Sequence, residues 1–356
     1  MSLPKLAGKM LKSNITRLEA PAKITFAITY ACNFLCTTCN IGRNYLEDPK
    51  GTREGELTPE EIGKMFKSCN ASWIQLTGGE PFFRTDFYDI VKAIKDNCPD
   101  IYAIHTTTNG YTTQNIVSIV KKVLTLGIPR FVVSISVDGL EEKHQEIRGV
   151  PESFVHAMET FRQLRDLENE NFNVFISYTS SPNNMGLLET TMNGLNNKHG
   201  IDPKHFHMNL FHTSNHYYTN IQLKDKNDYN DKVLAELRKM RTIKRGNDFA
   251  VDFLEHKYLK FAEEWVKTGK SPLPCKALNS SCFIDARGNV YPCLIWSKKI
   301  GNVRDFDYNL KKIWRLDEAK KAQQMAQNLK CPQCWTPCEA YQTILGNISK
   351  TALSNS

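Results

Sequence analysis

Three cysteines in Cys32-Asn33-Phe34-Leu35-Cys36-Thr37-Thr38-Cys39 follow directly on the apolar run Ile24 to Tyr30. Three thiols spaced Cys-x3-Cys-x2-Cys on one loop can gather around a metal or a cluster. A closed structural zinc site takes four ligands, and the next Cys or His in the chain is Cys69. A local fourth ligand is therefore missing. An iron-sulfur cube held by three cysteines would leave one iron open to a group that is not protein, so the incompleteness reads as a working site. Three buried thiols, or an adventitious metal, are the plain alternative.

A second set of cysteines lies further on. Cys275 is followed by twelve residues, Gly288, four more residues and Cys293, and after a gap comes Cys331-x2-Cys334-x3-Cys338. The stretch Phe283 to Cys293 reads as a hairpin turning at Arg287-Gly288, which puts Cys293 at the end of its second strand. Cys-x2-Cys pairs suit zinc and iron-sulfur clusters alike. Cys282 reads as a small buried apolar residue, and Cys69 and Cys98 as structural.

These residues need elements to position them. From Ile24 to about Leu210, short β-branched runs alternate with longer amphipathic ones, the mark of βα units around a parallel sheet. The strands expected are Ile24 to Thr29, Trp73 to Thr77, Ile101 to Thr107, Arg130 to Val137, Asn173 to Thr179 and His205 to Phe211. Between them, Thr58-Pro59-Glu60-Glu61 opens a helix as a capping box with proline at the first position. Helical periodicity recurs over Asp86 to Asn97, Gln114 to Leu126, Ser153 to Leu167 and Asn184 to Asn197. Six strands, each followed by a helix, make an α/β fold, a partial (βα)6 TIM-like barrel, here with a small C-terminal cysteine-rich domain.

In such folds the functional residues gather at the carboxyl ends of the strands. Strand one ends in the cysteine loop, strand two in Thr77-Gly78-Gly79-Glu80-Pro81, strand three in Thr106-Thr107-Thr108-Asn109-Gly110 and strand four in Ser134-Ile135-Ser136-Val137-Asp138-Gly139. Each is an ordinary turn by itself. Gly78 and Gly79 would let a ligand approach the backbone without side-chain interference.

The cysteine loop after a first strand, with these strand ends behind it, resembles the radical S-adenosylmethionine (radical SAM) enzymes. The resemblance implies that Cys32, Cys36 and Cys39 hold a [4Fe-4S] cluster whose open iron is chelated by SAM. It further implies reductive cleavage of SAM to methionine and a 5'-deoxyadenosyl radical that abstracts hydrogen from a substrate. It assigns the Gly78 and Gly79 carbonyls, with Glu80 nearby, to the SAM amino group, and Asn109, Ser136 and Asp138 to its ribose and carboxylate. Thr38 departs from the aromatic residue usual before the third cysteine. His144-x3-Arg148-Gly149-x3-Ser153-Phe154 also resembles a recurrent piece of the family. A guanidinium holds a carboxylate through two parallel hydrogen bonds, which makes Arg148 a candidate for the SAM carboxylate. Its plainer role is an ion pair with Glu141 or Glu152.

The later cysteines resemble the C-terminal auxiliary-cluster domains called SPASM, with two clusters, or Twitch, with one. Three residues instead of five separate Cys334 from Cys338, and the sequence has no later cysteine, so one auxiliary [4Fe-4S] cluster is expected. Its ligands would be Cys275, Cys293 and two of Cys331, Cys334 and Cys338. His205, His207, His212 and His216 crowd the sixth strand, with His205 and His207 on one side of it. They read as pocket lining or surface and not as a second metal site.

The chain has 356 residues and a net charge of +8, and no basic-aromatic repeat marks a nucleic-acid face. Residues 1–23 hold Lys5, Lys9, Lys12, Arg17 and Lys23 against Glu19. Such a segment is a loosely docked terminus or a peripheral contact with an anionic membrane. Neither a signal peptide nor a membrane span is legible. A cytoplasmic setting, where thiols stay reduced, is expected. The organisation read from the sequence is a basic segment over 1–23, a barrel over 24–215, a helical connection over 216–270 and the cluster domain over 271–356.

The expected function is an oxidation or rearrangement of a small molecule or lipid, with an electron donor such as a ferredoxin or flavodoxin. The 23 residues before strand one are too few for a leader-binding domain. A peptide maturase of the SPASM type is the alternative, and a non-catalytic iron-sulfur or zinc sensor lies further off.

Overall fold

The β-branched runs form six strands: β1 (Lys23–Thr29), β2 (Trp73–Gly78), β3 (Ala103–Thr108), β4 (Arg130–Ser136), β5 (Phe172–Ser180) and β6 (Phe206–Leu210). In the computed structural model, which describes residues 2–226, 231–243 and 249–353, neighbouring strands pair in parallel in the order β6-β5-β4-β3-β2-β1. The helices that matter here are α1 (Ser2–Ile15), α2 (Pro59–Lys67), α3 (Phe87–Asn97), α4 (Thr113–Leu124), α5 (Glu141–Arg148), α6 (Ser153–Arg165), α7 (Leu188–His199), α8 (Phe249–Thr268) and α9 (Pro337–Leu345). The capping box forms at α2: the Glu61 amide donates to Thr58 Oγ1, and the Thr58 amide to Glu61 Oε2. The basic stretch Leu237 to Arg245 begins in a helix, Asp231–Arg241, and its last two residues lie outside the described ones.

Side chains alternate strictly along these strands. The row facing the helices is apolar and fully buried, with Ile24, Ile74, Ile104, Val133, Ile176 and Phe206. The opposite row, facing the lumen, is mostly polar. Gln75, His105, Thr107, His207 and Asn209 keep partial exposure there.

The sheet continues past β1. β7 (Ser281–Ile284) pairs in parallel with its outer edge, from Lys23↔Ser281 to Phe26↔Ile284. β8 (Asn289–Tyr291) and β9 (Gly301–Asn302) then add antiparallel. The expected hairpin is present, its turn held by Asp285, whose carboxylate accepts from the amides of Arg287 and Asn289, with Gly288 at φ +83°. The sequence reading kept this hairpin apart from the barrel. An uncovered edge of β1 would present a row of unpaired backbone groups, and β7, buried along its whole length, covers it.

The first segment is also more firmly held than a loose terminus. Leu6 and Met10 of α1 are buried. Lys9 Nζ donates to the Asn70 carbonyl at 2.7 Å and pairs with Asp100, as does Lys5. Arg17 donates to the carbonyls of Leu278 and Trp314, each at 2.7 Å. Lys5, Lys9 and Arg17 of the basic segment thus have partners within the fold. No described helix is long and apolar enough to cross a membrane.

Candidate functional site

The cysteine loop leaves the carboxyl end of β1 and is cradled by glycines. A Cβ on Gly79 would stand 2.2 Å from the Ala31 carbonyl oxygen and 2.9 Å from Cys32 Cβ. One on Gly78, at φ +137°, would stand 2.0 Å from the Thr29 carbonyl oxygen. Gly149, just after α5, approaches the Leu35 carbonyl in the same way, at 2.4 Å. Gly78 and Gly79 thus lie directly against the backbone of Thr29 and Ala31. The Gly79 and Glu80 amides donate to the Thr29 and Ala31 carbonyls at 2.9 and 2.8 Å.

Around the loop the strand ends are tied to one another. Glu80 is buried, and its carboxylate accepts from the Asn109 amide at 2.7 Å and the Thr108 hydroxyl at 2.8 Å. Burial pushes its carboxyl up to about 7, against these donors. The Asn109 side chain donates to Asn33 Oδ1 of the cysteine loop at 2.9 Å. Ser136 ends β4 in register with Ser177.

Arg148 has a partner other than those expected. Its Nη2 is 2.7 Å from Asp138 Oδ2, while Glu141 pairs with Lys198 and the Glu152 amide donates to the Gln145 side chain. The chain turns back after Asp138 and runs through α5, so the last residue of that helix returns over the strand end. Arg148 Nη1 also reaches Cys36 Sγ at 3.9 Å, and its buried Nε has no hydrogen-bond partner. A hydrogen bond from Cys39, with Arg148's charge added, brings the Cys36 thiol down to about 7, and burial pushes Cys32 up to about 12.

The sequence reading missed a strap formed by residues 212–220 after β6. The Tyr217 hydroxyl lies 2.7 Å from Thr77 Oγ1 and donates to the Gly78 carbonyl at 3.3 Å. The Asn220 side chain donates to the Thr38 carbonyl at 2.8 Å, and the Asn40 amide to the Tyr218 carbonyl at 3.0 Å. The signal was Asn215-His216-Tyr217-Tyr218-Thr219-Asn220, aromatic and polar in the loop that leaves the sixth strand. His216 Nε2 meets the Cys293 carbonyl at 3.2 Å, and His212 Nε2 accepts from the Trp335 amide at 3.2 Å. His205 precedes β6, in a short turn, with Nδ1 3.3 Å from the Asp202 carbonyl.

The C-terminal thiols divide. Burial raises Cys275, Cys293 and Cys334. Cys334 lies close enough to raise the first two further, and Cys331 acts on both Cys275 and Cys334. Burial raises Cys338 as well, which feels Lys23 and, like the other three, Glu339, and it packs in the apolar group of Tyr217, Tyr218 and Cys39. Cys282 sits on β7 in the main core, fully buried. Among the described residues, no three His, Cys, Asp or Glu side chains are grouped tightly enough for a single metal ion.

The donor sets fit iron-sulfur clusters. Sulfurs at such centres are held by cysteine and tuned by hydrogen bonds. N–H donors point at Cys36 Sγ from Arg148, at Cys275 Sγ from the Ala277 amide at 3.4 Å, and at Cys293 Sγ from the Trp296 amide at 3.3 Å. Residues 26–191 match the family model described as the radical SAM superfamily, and residues 275–335 match SPASM, an iron-sulfur cluster-binding domain. The chain is a radical SAM superfamily enzyme with a C-terminal SPASM domain. Its cofactors are accordingly a [4Fe-4S] cluster with SAM and auxiliary iron-sulfur.

Among solved structures, native anSMEcpe with bound AdoMet is similar at a TM-score of 0.56 and 16% identity, covering 94% of this chain and 99% of that one. The same protein with bound AdoMet and a Kp18Cys peptide gives 0.57 and 17%, over 86% and 83%. Streptococcus suis SuiB gives 0.55 and 17%, over 88% and 69%. At these identities the likeness is one of fold.

Proposed function

We propose that this enzyme modifies a peptide, and that its radical chemistry starts at the loop holding Cys32, Cys36 and Cys39. The observation carrying the placement is the convergence of Glu80, Asn109 and the Asp138–Arg148 pair on the cysteine loop at one end of the sheet. The three cysteines would hold the cluster, which with SAM supplies a carbon radical able to abstract hydrogen. Gly78, Gly79, Glu80, Asn109, Ser136, Asp138 and Arg148 would surround SAM. Arg148 and Asp138 set the charge beside Cys36, and the Tyr217 strap is tied to the loop through Thr38 and Asn40. Cys275, Cys293, Cys331 and Cys334 would hold auxiliary iron-sulfur, leaving Cys338 free.

What supports a peptide, over the small molecule or lipid first expected, is the company of the fold. An anSMEcpe structure contains a Cp18Cys peptide, at a TM-score of 0.53, and a SuiB structure its precursor peptide SuiA, at 0.52. The test is deoxyadenosine release by the anaerobically reconstituted enzyme, with and without peptides, sugars or lipids. Peptide-stimulated release, lost in the Cys32/Cys36/Cys39 triple alanine variant, is expected. Stimulation by sugars or lipids alone would return the reading to a small molecule.

A further inference from the structure

Parallel strands covered on both faces ordinarily carry apolar residues on each, and a closed eight-stranded barrel fills its interior with branched aliphatic side chains. The lumen here is built otherwise. His105 Nε2 lies 2.9 Å from Ser134 Oγ. Nearby, His207 Nδ1 lies 2.7 Å from Glu255 Oε1, which reaches in from α8 and also accepts from the Tyr341 hydroxyl of α9. The Asn209 side chain donates to Ser177 Oγ at 2.7 Å, and Phe175 packs on the His207 ring at 4.4 Å. The His207 side chain is still 21% exposed, whereas Glu255 is 4% exposed. Solvent thus reaches the imidazole face but not the carboxylate behind it.

We infer that the lumen is a recognition chamber for a neutral hydroxyl- or carboxamide-bearing group, selected by His105 and His207. The inference rests on the peptide reading above, under which the group is a Ser, Thr, Asn or Gln side chain.

The charges bordering the chamber are already engaged. Glu255 is held by His207 and Tyr341, and Lys23 by Thr25 Oγ1 at 2.8 Å and by the Cys338 carbonyl. Burial, with His207 and Lys23 adding repulsion, pushes His105 down to about 3, so its imidazole is neutral. An incoming charge would have to displace these partners to be paired, and an unpaired buried charge is costly. A large apolar group would strip water from hydroxyls, amides and imidazoles and give nothing back. Sites built to hydrogen-bond a substrate reject analogues lacking the polar group for this reason. A hydroxyl or carboxamide both donates and accepts, as the chamber walls do.

Anaerobic calorimetry on the reconstituted, SAM-loaded enzyme tests this with short Gly/Ala peptides carrying a central Ser, Asn, Leu, Lys or Asp, and with free sorbitol. The Ser and Asn peptides should bind at least about tenfold tighter than the others. That preference should vanish in His207→Phe, and separately in His105→Leu, with iron content and SAM affinity kept as evidence of folding. Sorbitol binding with the same histidine dependence, and no peptide binding, would keep the chamber and overturn the peptide reading. Equal binding of Leu or charged peptides, selectivity surviving both variants, or no binding of any probe by the wild type would each overturn the chamber.

Discussion

Cys32, Cys36 and Cys39 come from one short loop, whereas Cys275, Cys293, Cys331 and Cys334 are gathered from three separate segments. The first set is held by glycines that admit the loop's backbone against β2 and the end of α5. The second depends on a hairpin added to β1 and on the long return of the chain to α9. A site written locally can be read from spacing, but one assembled from distant pieces needs the fold.

The largest expected effect separates the two sets directly. Replacing Cys32, Cys36 and Cys39 by alanine should lower iron from about eight to about four per chain, as loss of one of two cubes requires, with all SAM cleavage abolished. Iron and sulfide analysis measures it. Total loss of iron would show that the two sites do not form independently.

Gly79→Val comes next. Because its side chain would strike the Ala31 carbonyl and Cys32, it should lose the loop's iron along with SAM cleavage. We expect destabilisation of at least about 2 kcal/mol in denaturant. Retained iron with lost SAM binding would mean that the glycine serves the ligand and not the loop.

A smaller contrast lies inside the second set. Cys334→Ala should remove the auxiliary iron, while Cys338→Ala should keep it, both read by iron analysis and electron paramagnetic resonance. The reverse would place Cys338 among the ligands.

The smallest effect concerns docking between α2 and the C-terminal region. Arg304 grips Glu61 with Nε at 2.8 Å and Nη2 at 2.9 Å, and the Tyr308 hydroxyl donates to it at 2.7 Å. Arg304's hydrogen bonds, with the Thr58 amide and Tyr308, hold the Glu61 carboxyl down near 2. Its stabilisation is complete above the ordinary carboxylate range and fades as pH falls towards 2. Glu61→Gln should therefore cost about 1 kcal/mol or less near neutrality, and nothing once pH is below about 2. Thermal melts across pH read both.

Much of this was legible in sequence. The six strands, the capping box and the hairpin turn follow from periodicity, Thr58-x-x-Glu61 and Arg287-Gly288, because local chemistry decides them. The Asp138–Arg148 pair was not, since a helix of unforeseen extent carries Arg148 back over the strand end. Tyr217 and the polar lumen escaped for a related reason. Strand periodicity says which residues share a face, but nothing about whether that face is packed or open.

The pairing of β7 with β1 also orders events during translation. β1 leaves the ribosome early, yet its outer edge stays bare until residue 281 has been made. Exposed strand edges in incomplete chains invite pairing with other molecules. α1 waits longer still, for its Asn14 side chain donates to the Leu345 carbonyl. The nascent barrel thus carries Cys32, Cys36 and Cys39 beside an unfinished edge until β7 has been made. Closing that edge awaits the residues from Ser281 onward.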